Sequence, residues 1–337
     1  MMKKIILLLA LCSFSFGMAQ SNLNDILAAG LNDAERFTTD WIAPVTEAGI
    51  YSISNGWYNS ADAKPLGGFE ISIIGNLTGF KNKDDKKSFT LNTADYENLT
   101  FTDGSTSKEV ATALGDIEGV SVAINALVEG QPVSTEFELP SGLSSEDFNF
   151  IPSGYIQASV GLIKGTEVKA RFLPKINTDD VKIGLYGFGV QHDFTKHLPA
   201  DKLLPVAISA VIGYTNLSGE YDFSTTDVIS GENQRIDAKF SSWNFSAVVS
   251  TRLPVINFYG GLNYITGKAD TDILGTYEIE TVAQPIVYTD PFSISNKVSG
   301  VSGNIGTKLK LGFFRLNADY NIAEFSTFTF GINFGFR

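Results

Sequence analysis

Hydrophobic and polar residues alternate over ten long stretches of this sequence, and that period of two constrains the fold more than any other feature. The last stretch is the clearest, with Phe328, Phe330, Ile332, Phe334 and Phe336 at every second position. Successive side chains of a strand point to opposite faces, so the pattern predicts strands with one apolar and one polar face. Several stretches run for about 10 to 15 residues, enough to cross a bilayer, whereas strands of soluble sheets average about 5 to 6.

The connections between the predicted strands alternate between long and short. We place the strands at residues 67–80, 152–164, 166–175, 180–192, 204–220, 236–252, 255–268, 297–311, 314–322 and 326–337. Outer-membrane barrels join an even number of strands by short periplasmic turns and long external loops. The sequence therefore predicts an all-β protein, a transmembrane antiparallel up-and-down barrel of 10 to 14 strands. Residues 49–59 and the insertion at 81–151 are the candidates for strands beyond ten.

Composition agrees with a membrane barrel. The chain has 32 glycines and 25 phenylalanines, and only 18% of its residues are charged, against about a quarter in soluble domains. After the first 20 residues it has no apolar run long enough for a helical span.

The first 19 residues are predicted to be a secretory signal peptide. Lys3 and Lys4 precede an apolar stretch, Ile5–Leu11, and small residues surround the expected cleavage point after Ala19. The only cysteine, Cys12, lies in this segment. Without it the chain has 23 basic and 37 acidic residues, a net charge of −14, which argues against nucleic acid as a partner. We expect an outer-membrane protein with both termini in the periplasm.

An amphipathic helix is predicted between the signal peptide and the barrel. Residues 20–48 form this segment, and Pro44 is expected to end the helical pattern. The apolar side chains that recur at helical spacing are Leu23, Leu27, Leu31, Phe37 and Trp41. The helix is expected to plug the lumen or to cover the barrel mouth.

The barrel is predicted to occupy 49–337, with the insertion at 81–151 as an external cap or as a segment that dips into the lumen. Within the insertion, Phe89 and Leu91 favour a strand, and Glu109 to Leu114 favour a short helix.

Charged residues occur on the polar phase of several strands and are predicted to face the lumen. They are Glu70, Glu167, Lys169, Arg171, Lys182, Lys308, Lys310, Arg315 and Asp319. On one interpretation these charges pair with one another in a filled interior, as in small barrels. On the other, the five basic residues at 169, 171, 308, 310 and 315 form a lining that attracts anions.

The histidines His192 and His197 fall in one connection, beside Asp193. A metal site usually gathers three or four ligands, and a hydrolase needs a nucleophile, a base and an orienting group. We therefore interpret this connection as a hydrogen-bonded turn. The sequence predicts no enzymatic activity, no metal and no cofactor.

Four short motifs resemble those of uncharacterised outer-membrane barrel proteins of Bacteroidota. They are Gly56 to Asn59 (Gly-Trp-Tyr-Asn), the turn from His192 to Pro205, Leu316 to Tyr320, and Phe330 to Arg337. That family is distantly similar to fatty-acid-transporter-like barrels, which have an N-terminal plug and a hydrophobic ligand path. The resemblance implies a location and a fold and leaves the activity open.

The sequence leaves two hypotheses for the function of a membrane barrel. A third possibility is that the chain is a secreted soluble β-protein. The first is passive or ligand-specific transport of small or hydrophobic molecules across the outer membrane. The alternative is a non-conducting structural or interaction barrel whose external loops bind a partner or a surface polymer. The expected partners are outer-membrane lipid, the outer-membrane assembly machinery, which would read the last strand, and a small or hydrophobic ligand. The sequence identifies no protein partner.

Overall fold

The computed structural model describes residues 25–128, 131–178, 180–199, 201–223, 231–279 and 285–336. The predicted signal peptide, with Cys12, and the helix position Leu23 lie outside these residues. The helices are α1 (Leu31–Ser54) and α2 (Asp84–Lys87). The strands are β1 (Phe69–Gly79), β2 (Ser88–Asn92), β3 (Leu99–Phe101), β4 (Ser107–Ala111), β5 (Ser121–Val128), β6 (Gln131–Glu138), β7 (Phe150–Gly161), β8 (Thr166–Asn177), β9 (Val181–Asp193), β10 (Val206–Asp222), β11 (Arg235–Thr251), β12 (Ile256–Leu274), β13 (Thr276–Ile279), β14 (Ile286–Thr289), β15 (Phe292–Leu311), β16 (Phe314–Ile322) and β17 (Thr327–Phe336).

Ten antiparallel strands close into a barrel, as predicted. The order around the wall is β1-β17-β16-β15-β12-β11-β10-β9-β8-β7, and β1 pairs with β7 to close it. Each of the ten predicted strands overlaps one of these strands. The largest differences are in β12 and β15, whose ladder continues beyond the predicted limits. The apolar alternation stops earlier there, where Lys268 and Asp270 form an ion pair (Nζ–Oδ1, 2.8 Å).

The apolar side chains of the alternating pattern lie on the outer face of the barrel wall, and the polar side chains lie on its inner face. In β17 the side chains of Phe328, Phe330 and Phe334 are exposed on the outside, whereas Thr329 and Asn333 are buried in the lumen. The aromatic residues at 214, 264 and 320 lie on the outer face, at least partly exposed. Tyr155 lies on the opposite phase of β7 from the exposed Ile156 and is buried in the lumen.

The barrel has a short-turn end and a long-loop end. The short-turn end carries the connections 162–165, 194–205, 252–255 and 312–313. The long-loop end carries 80–149, 178–180, 223–234, 275–291 and 323–326. The insertion covers the long-loop end with two small sheets, β2-β4 and β3-β5-β6. The helix predicted from Glu109 to Leu114 is wrong, because Val110 pairs with Phe89 of β2 and is buried as part of β4.

Helix α1 runs down the lumen and contacts six barrel strands, β1, β7, β10, β11, β12 and β15. The sequence predicted that Pro44 would end this helix, but α1 continues through Pro44 to Ser54. An internal proline costs about 3 kcal/mol, and the contacts of the helix with six strands offset that cost. The predicted strand at 49–59 is therefore also wrong. No helix in the described ranges combines the length and the hydropathy of a membrane-spanning helix.

The two ends of the described chain lie at opposite ends of the barrel. Ile26 and Leu27 belong to a buried cluster with Leu99 and Phe101 of the insertion, at the long-loop end. Phe336 pairs with Phe69 at the short-turn end. The sequence predicted both ends on one side, but the chain passes through the lumen before β1 begins.

Candidate ligand site in the barrel lumen

Residues 55–68, which we call the strap, continue from α1 to the short-turn end and fill that half of the lumen. The hydroxyl of Tyr58 lies 2.8 Å from the side-chain oxygens of Asn263 and Asn304. Trp57 packs against glycines of two strands, and a Cβ at Gly213 would lie only 2.2 Å from its ring. The glycines in this part of the wall therefore make room for the strap.

A buried carboxylate, Glu70, holds two cations at the base of the lumen. Lys308 donates to it from Nζ (3.0 Å to Oε2) and Arg315 from Nη1 (2.7 Å to Oε2). Asn59 of the strap donates to the other oxygen (2.9 Å). The strap is thus bonded to the charged interior.

A second buried carboxylate, Glu167, completes this charged base. Lys169 donates to its Oε1 over 2.6 Å and Lys64 over 3.0 Å. Lys64 was not among the predicted charges because it belongs to the strap, where no strand periodicity reveals its direction. With Glu70, these contacts connect four cations to two carboxylates.

Two further inward charges, Arg171 and Asp319, are stabilised by aromatic rings and neutral hydrogen-bonding groups. The guanidinium of Arg171 lies between two rings, 3.5 Å from the centroid of Trp57 and 4.2 Å from that of Tyr155. It also donates to the carbonyl of Ile53 (3.0 Å). Asp319 accepts hydrogen bonds from the hydroxyl of Tyr259 (2.7 Å) and from Asn321 (2.7 Å).

Two predicted lumen charges lie outside the filled interior. Lys182 pairs with Glu220 and Asp222 near the long-loop end, and Lys310 lies near the carbonyl of Leu253 at the short-turn end (3.4 Å). Among the five basic residues of the anion-attracting interpretation, those at 169, 308 and 315 bond carboxylates. The geometry agrees better with charges that pair in a filled interior.

An apolar cavity of about 160 Å³ lies between α1 and the barrel wall. One face of the helix lines it, with Trp41, Val45, Gly49 and Ile53 at intervals of four residues. Twelve residues of helix span about 18 Å, so the cavity extends well down the lumen. The main apolar side chains opposite the helix are Leu173, Leu185, Leu217, Ile236 and Phe240.

The hydrogen-bonded ladder between β7 and β8 covers only part of their length. It runs from Gly161↔Glu167 to Ile156↔Phe172. Beyond that point the register between the two strands ends, whereas residues 150–155 continue to pair with β1. The pairing of β8 with β9 has an irregularity between Leu173 and Ile176. We call the interval between residues 150–155 and 173–177 the seam.

The seam borders the cavity, because residues 150–154 of β7 and Leu173 of β8 both line it. Pro152 and Pro174 flank the seam and lack the N–H that a ladder needs. These two prolines are the sequence signal that could have located the seam. The cavity has no comparable signal, since it depends on the distance between the helix and the wall.

The predicted plug residues occupy two places. Leu27 and Phe37 are buried in the cluster that joins α1 to the insertion, and Leu31 packs against that cluster. Trp41 belongs to the cluster too and also lines the cavity.

The histidine connection lies at the short-turn end. The Nε2 atoms of His192 and His197 are 3.1 Å apart, and Asp193 accepts from the backbone N–H of Thr195 (2.9 Å). Within the described ranges, no group of three or more His, Cys, Asp or Glu side chains converges as a metal site. The hydrogen bonds are those of a turn.

The chain belongs to a family of unknown function (DUF6588), whose model matches residues 2–336. No curated protein matches it. Similar solved structures include Ail, the attachment invasion locus protein of Yersinia pestis, with 10% identity, a TM-score of 0.27, and coverage of 80% of this chain and 99% of that one. The translocator domain of the autotransporter NalP from Neisseria meningitidis has 9% identity, a TM-score of 0.30, and coverage of 86% and 93%. OpdL of Pseudomonas aeruginosa has 11% identity, a TM-score of 0.14, and coverage of 80% and 98%.

Proposed function

We propose that this member of the DUF6588 family is an outer-membrane barrel that binds a small apolar molecule in its lumen and exchanges it with the membrane. The cavity between α1 and the wall carries the proposal. An engineered protein cavity of about 150 Å³, lined by leucine, isoleucine and phenylalanine, stays dry and binds benzene. The present cavity has a similar volume, about 160 Å³, and a similar lining.

The seam is the proposed route by which the apolar molecule passes between the membrane and the cavity. Phe150 and Phe172, next to the seam, expose 41% and 57% of their surface, as expected for side chains that meet lipid. Open strand edges are not stable in hydrocarbon unless they are buried or line a cavity. An apolar molecule that moves through the seam passes from lipid to an apolar cavity without crossing water.

The filled lumen argues against a wide aqueous pore. In the described part of the chain, α1 occupies the long-loop half and the strap occupies the short-turn half. The strap is bonded to the wall through Tyr58, Asn59 and Lys64. Of the two transport modes, ligand-specific transport therefore suits this interior better than passive diffusion of hydrophilic solutes.

A binding measurement tests the proposal. The protein in lipid nanodiscs is dialysed against α-methylstyrene, with empty nanodiscs as the reference for partition into lipid. We expect saturable uptake at one site. Uptake equal to that of empty nanodiscs would overturn the proposal and leave the non-conducting interaction barrel as the better hypothesis.

A matched pair of variants tests whether the ligand binds in this cavity. Gly219 lines the cavity, and a Cβ added there would meet no atom within 4 Å. The side chain introduced by Gly219→Leu therefore occupies the cavity and should abolish saturable uptake. Gly303→Leu makes the same change at a wall position beside Leu262 of the outer face, and it should bind as the unaltered protein does. Equal binding by both variants would exclude this cavity.

A further inference from the structure

We infer that two lysines on the outer face of the barrel, Lys268 of β12 and Lys297 of β15, bind the phosphate group of a membrane lipid. These two residues, which we call the lysine pair, are directly opposite each other in the β12–β15 ladder. Both side chains point outward, because the next residues of the two strands, Ala269 and Val298, belong to a buried cluster inside the barrel. The inference goes beyond the proposed function, because it concerns the outer face and shares with that function only the position of the barrel in the outer membrane.

The lysine pair lies at the level where lipid head groups are expected. Two residues closer to the short-turn end, Thr266 and Ser299 are opposite each other in the same ladder. Trp243 of β11 is opposite Thr266 and is exposed, as are the aromatic residues that mark the interface of a membrane barrel. Two residues of a strand span about 7 Å. The lysine pair therefore lies about 7 Å along the wall beyond this interfacial tryptophan.

The charge around the lysine pair is positive, although the chain as a whole is acidic. Lys268 has an anionic neighbour in Asp270, on the same face of β12 (Nζ–Oδ1, 2.8 Å). Lys239 of β11 is directly opposite Asp270, so three lysines and one carboxylate give this group a net charge of +2. Like charges on directly opposite residues destabilise a sheet, and the lysine pair is such an arrangement. An anion between the two ammonium groups would remove this repulsion.

The carboxylates farther along the strands are too distant to neutralise the lysine pair. Asp272 is four residues from Lys268 on the same strand, which is a distance of about 13 Å. At physiological ionic strength the interaction between exposed charges is screened over about 8 Å. Asp237, opposite Asp272, has a cation of its own in Arg235 (3.5 Å). The positive charge nearest the membrane is therefore largely uncompensated.

The side chains at this place fit a phosphate monoester. The ammonium groups of the lysine pair and the hydroxyls of Thr266 and Ser299, all of which can donate hydrogen bonds, occupy four neighbouring positions on two strands. A phosphate monoester carries a charge of about −1.5 to −2 and three acceptor oxygens. On the membrane side of these four residues, Tyr264 and Val301 are exposed and apolar, which suits the acyl chains of the same molecule. The expected occupant is therefore a lipid with a phosphate monoester, and not free phosphate.

Native mass spectrometry tests the inference with two lipids that differ in the phosphate. The protein in detergent is titrated with dioleoyl phosphatidic acid, and dioleoylglycerol, which lacks the phosphate, is the reference. We expect one tightly bound phosphatidic acid. The double variant Lys268→Gln with Lys297→Gln should bind it about 25-fold more weakly, since each lysine at an anionic lipid surface contributes a factor of about five. Lys268→Arg with Lys297→Arg keeps both charges and should keep the affinity.

A control variant distinguishes the lysine pair from positive charge in general. Lys81→Gln with Lys108→Gln removes two positive charges from the insertion and should leave the affinity unchanged. Unchanged affinity in the lysine-pair variant, equal losses in both double variants, equal binding of the two lipids, or displacement of phosphatidic acid by inorganic phosphate would overturn the inference.

These results are independent of the cavity. The lysine-pair variant should take up α-methylstyrene as the unaltered protein does, because the lysines face away from the lumen. Absence of saturable α-methylstyrene uptake in the unaltered protein would overturn the proposed function and leave the lipid site in place.

Discussion

Single residues in the lumen decide whether the helix and the strap can fit inside the wall. Arg171 is the clearest example, because its guanidinium is buried without a carboxylate and is held between the rings of Trp57 and Tyr155. Such contacts contribute about 2 kcal/mol or more when they are desolvated. Through its hydrogen bond to the carbonyl of Ile53, Arg171 attaches the end of α1 to the barrel wall.

Two glycines on β10 give a matched test of this fit. Gly213→Ala places a Cβ 2.2 Å from the ring of Trp57, so we expect a loss of stability of about 1 to 3 kcal/mol from overpacking. Gly219→Ala, six residues along the strand, meets open space and should leave stability nearly unchanged. Denaturant unfolding in detergent measures both. Equal effects at the two positions would show that the strap does not lie against Gly213.

The period of two reveals the side of the wall on which a residue lies, but it does not reveal the contacts of that residue. It assigns Glu70, Glu167 and Arg171 to the polar phase, and all three side chains are buried. It could not show that Lys64 joins them, because the direction of a side chain in an irregular segment is set by tertiary contacts. It also places Tyr155 on the inward phase of its strand, where the hydroxyl donates to the carbonyl of Asn55 in the strap.

Among the elements, the barrel strands were predictable and the segments inside and above the barrel were not. Each barrel strand has two different environments, lipid on one side and packed lumen on the other, and the sequence records that difference. Helix α1 contacts six barrel strands, so Pro44 is tolerated and the helical pattern weakens after it. The small strands of the insertion are short, and β4 lacks the alternation that identifies the wall.

A group of ion pairs at the long-loop end attaches the insertion to the barrel. Lys83 pairs with Glu324 (2.9 Å) and Lys86 with Glu47 of α1 (2.8 Å). The hydrogen bond from Lys83 lowers the pKa of the Glu324 carboxyl from its usual 4.5. A carboxyl with a lowered pKa contributes stability that is present above its unfolded value and is lost as the pH falls through the folded value.

We therefore expect the segment around α2 to loosen as the pH falls below 4.5. The protection factors of the backbone amides of residues 81–87 against hydrogen exchange, compared at pH 6 and at pH 3.5, measure this change. Glu324→Gln removes the charge at every pH, so its exchange should be faster at pH 6 and should change less on acidification. Identical pH profiles in both proteins would assign the loosening to other groups.

The chain passes through the lumen, so the two ends of the described chain lie at opposite ends of the barrel. Residue 25 lies at the long-loop end and Phe336 at the short-turn end. If the barrel lies in the outer membrane as proposed, with its long loops outward, the chain enters the lumen from the cell surface.

Epitope tags on intact cells test this path. A tag placed directly before Asp25 should be accessible to antibody, like a control tag at Gly104 in the exposed turn of the insertion. A tag at Gly165, in a turn of the short-turn end, should become accessible only after the outer membrane is permeabilised. Protection of the tag before Asp25 together with exposure of the Gly104 tag would contradict the threaded path.

A crystal structure of the protein with bromobenzene shows directly where a small apolar molecule binds. The anomalous signal of bromine locates the probe without assumptions about its orientation. We expect one ordered bromine between α1 and the wall, beside Trp41 and Leu217, and none there in Gly219→Leu. Bromine only on the lipid-facing surface, or in the lumen of both proteins alike, would contradict it.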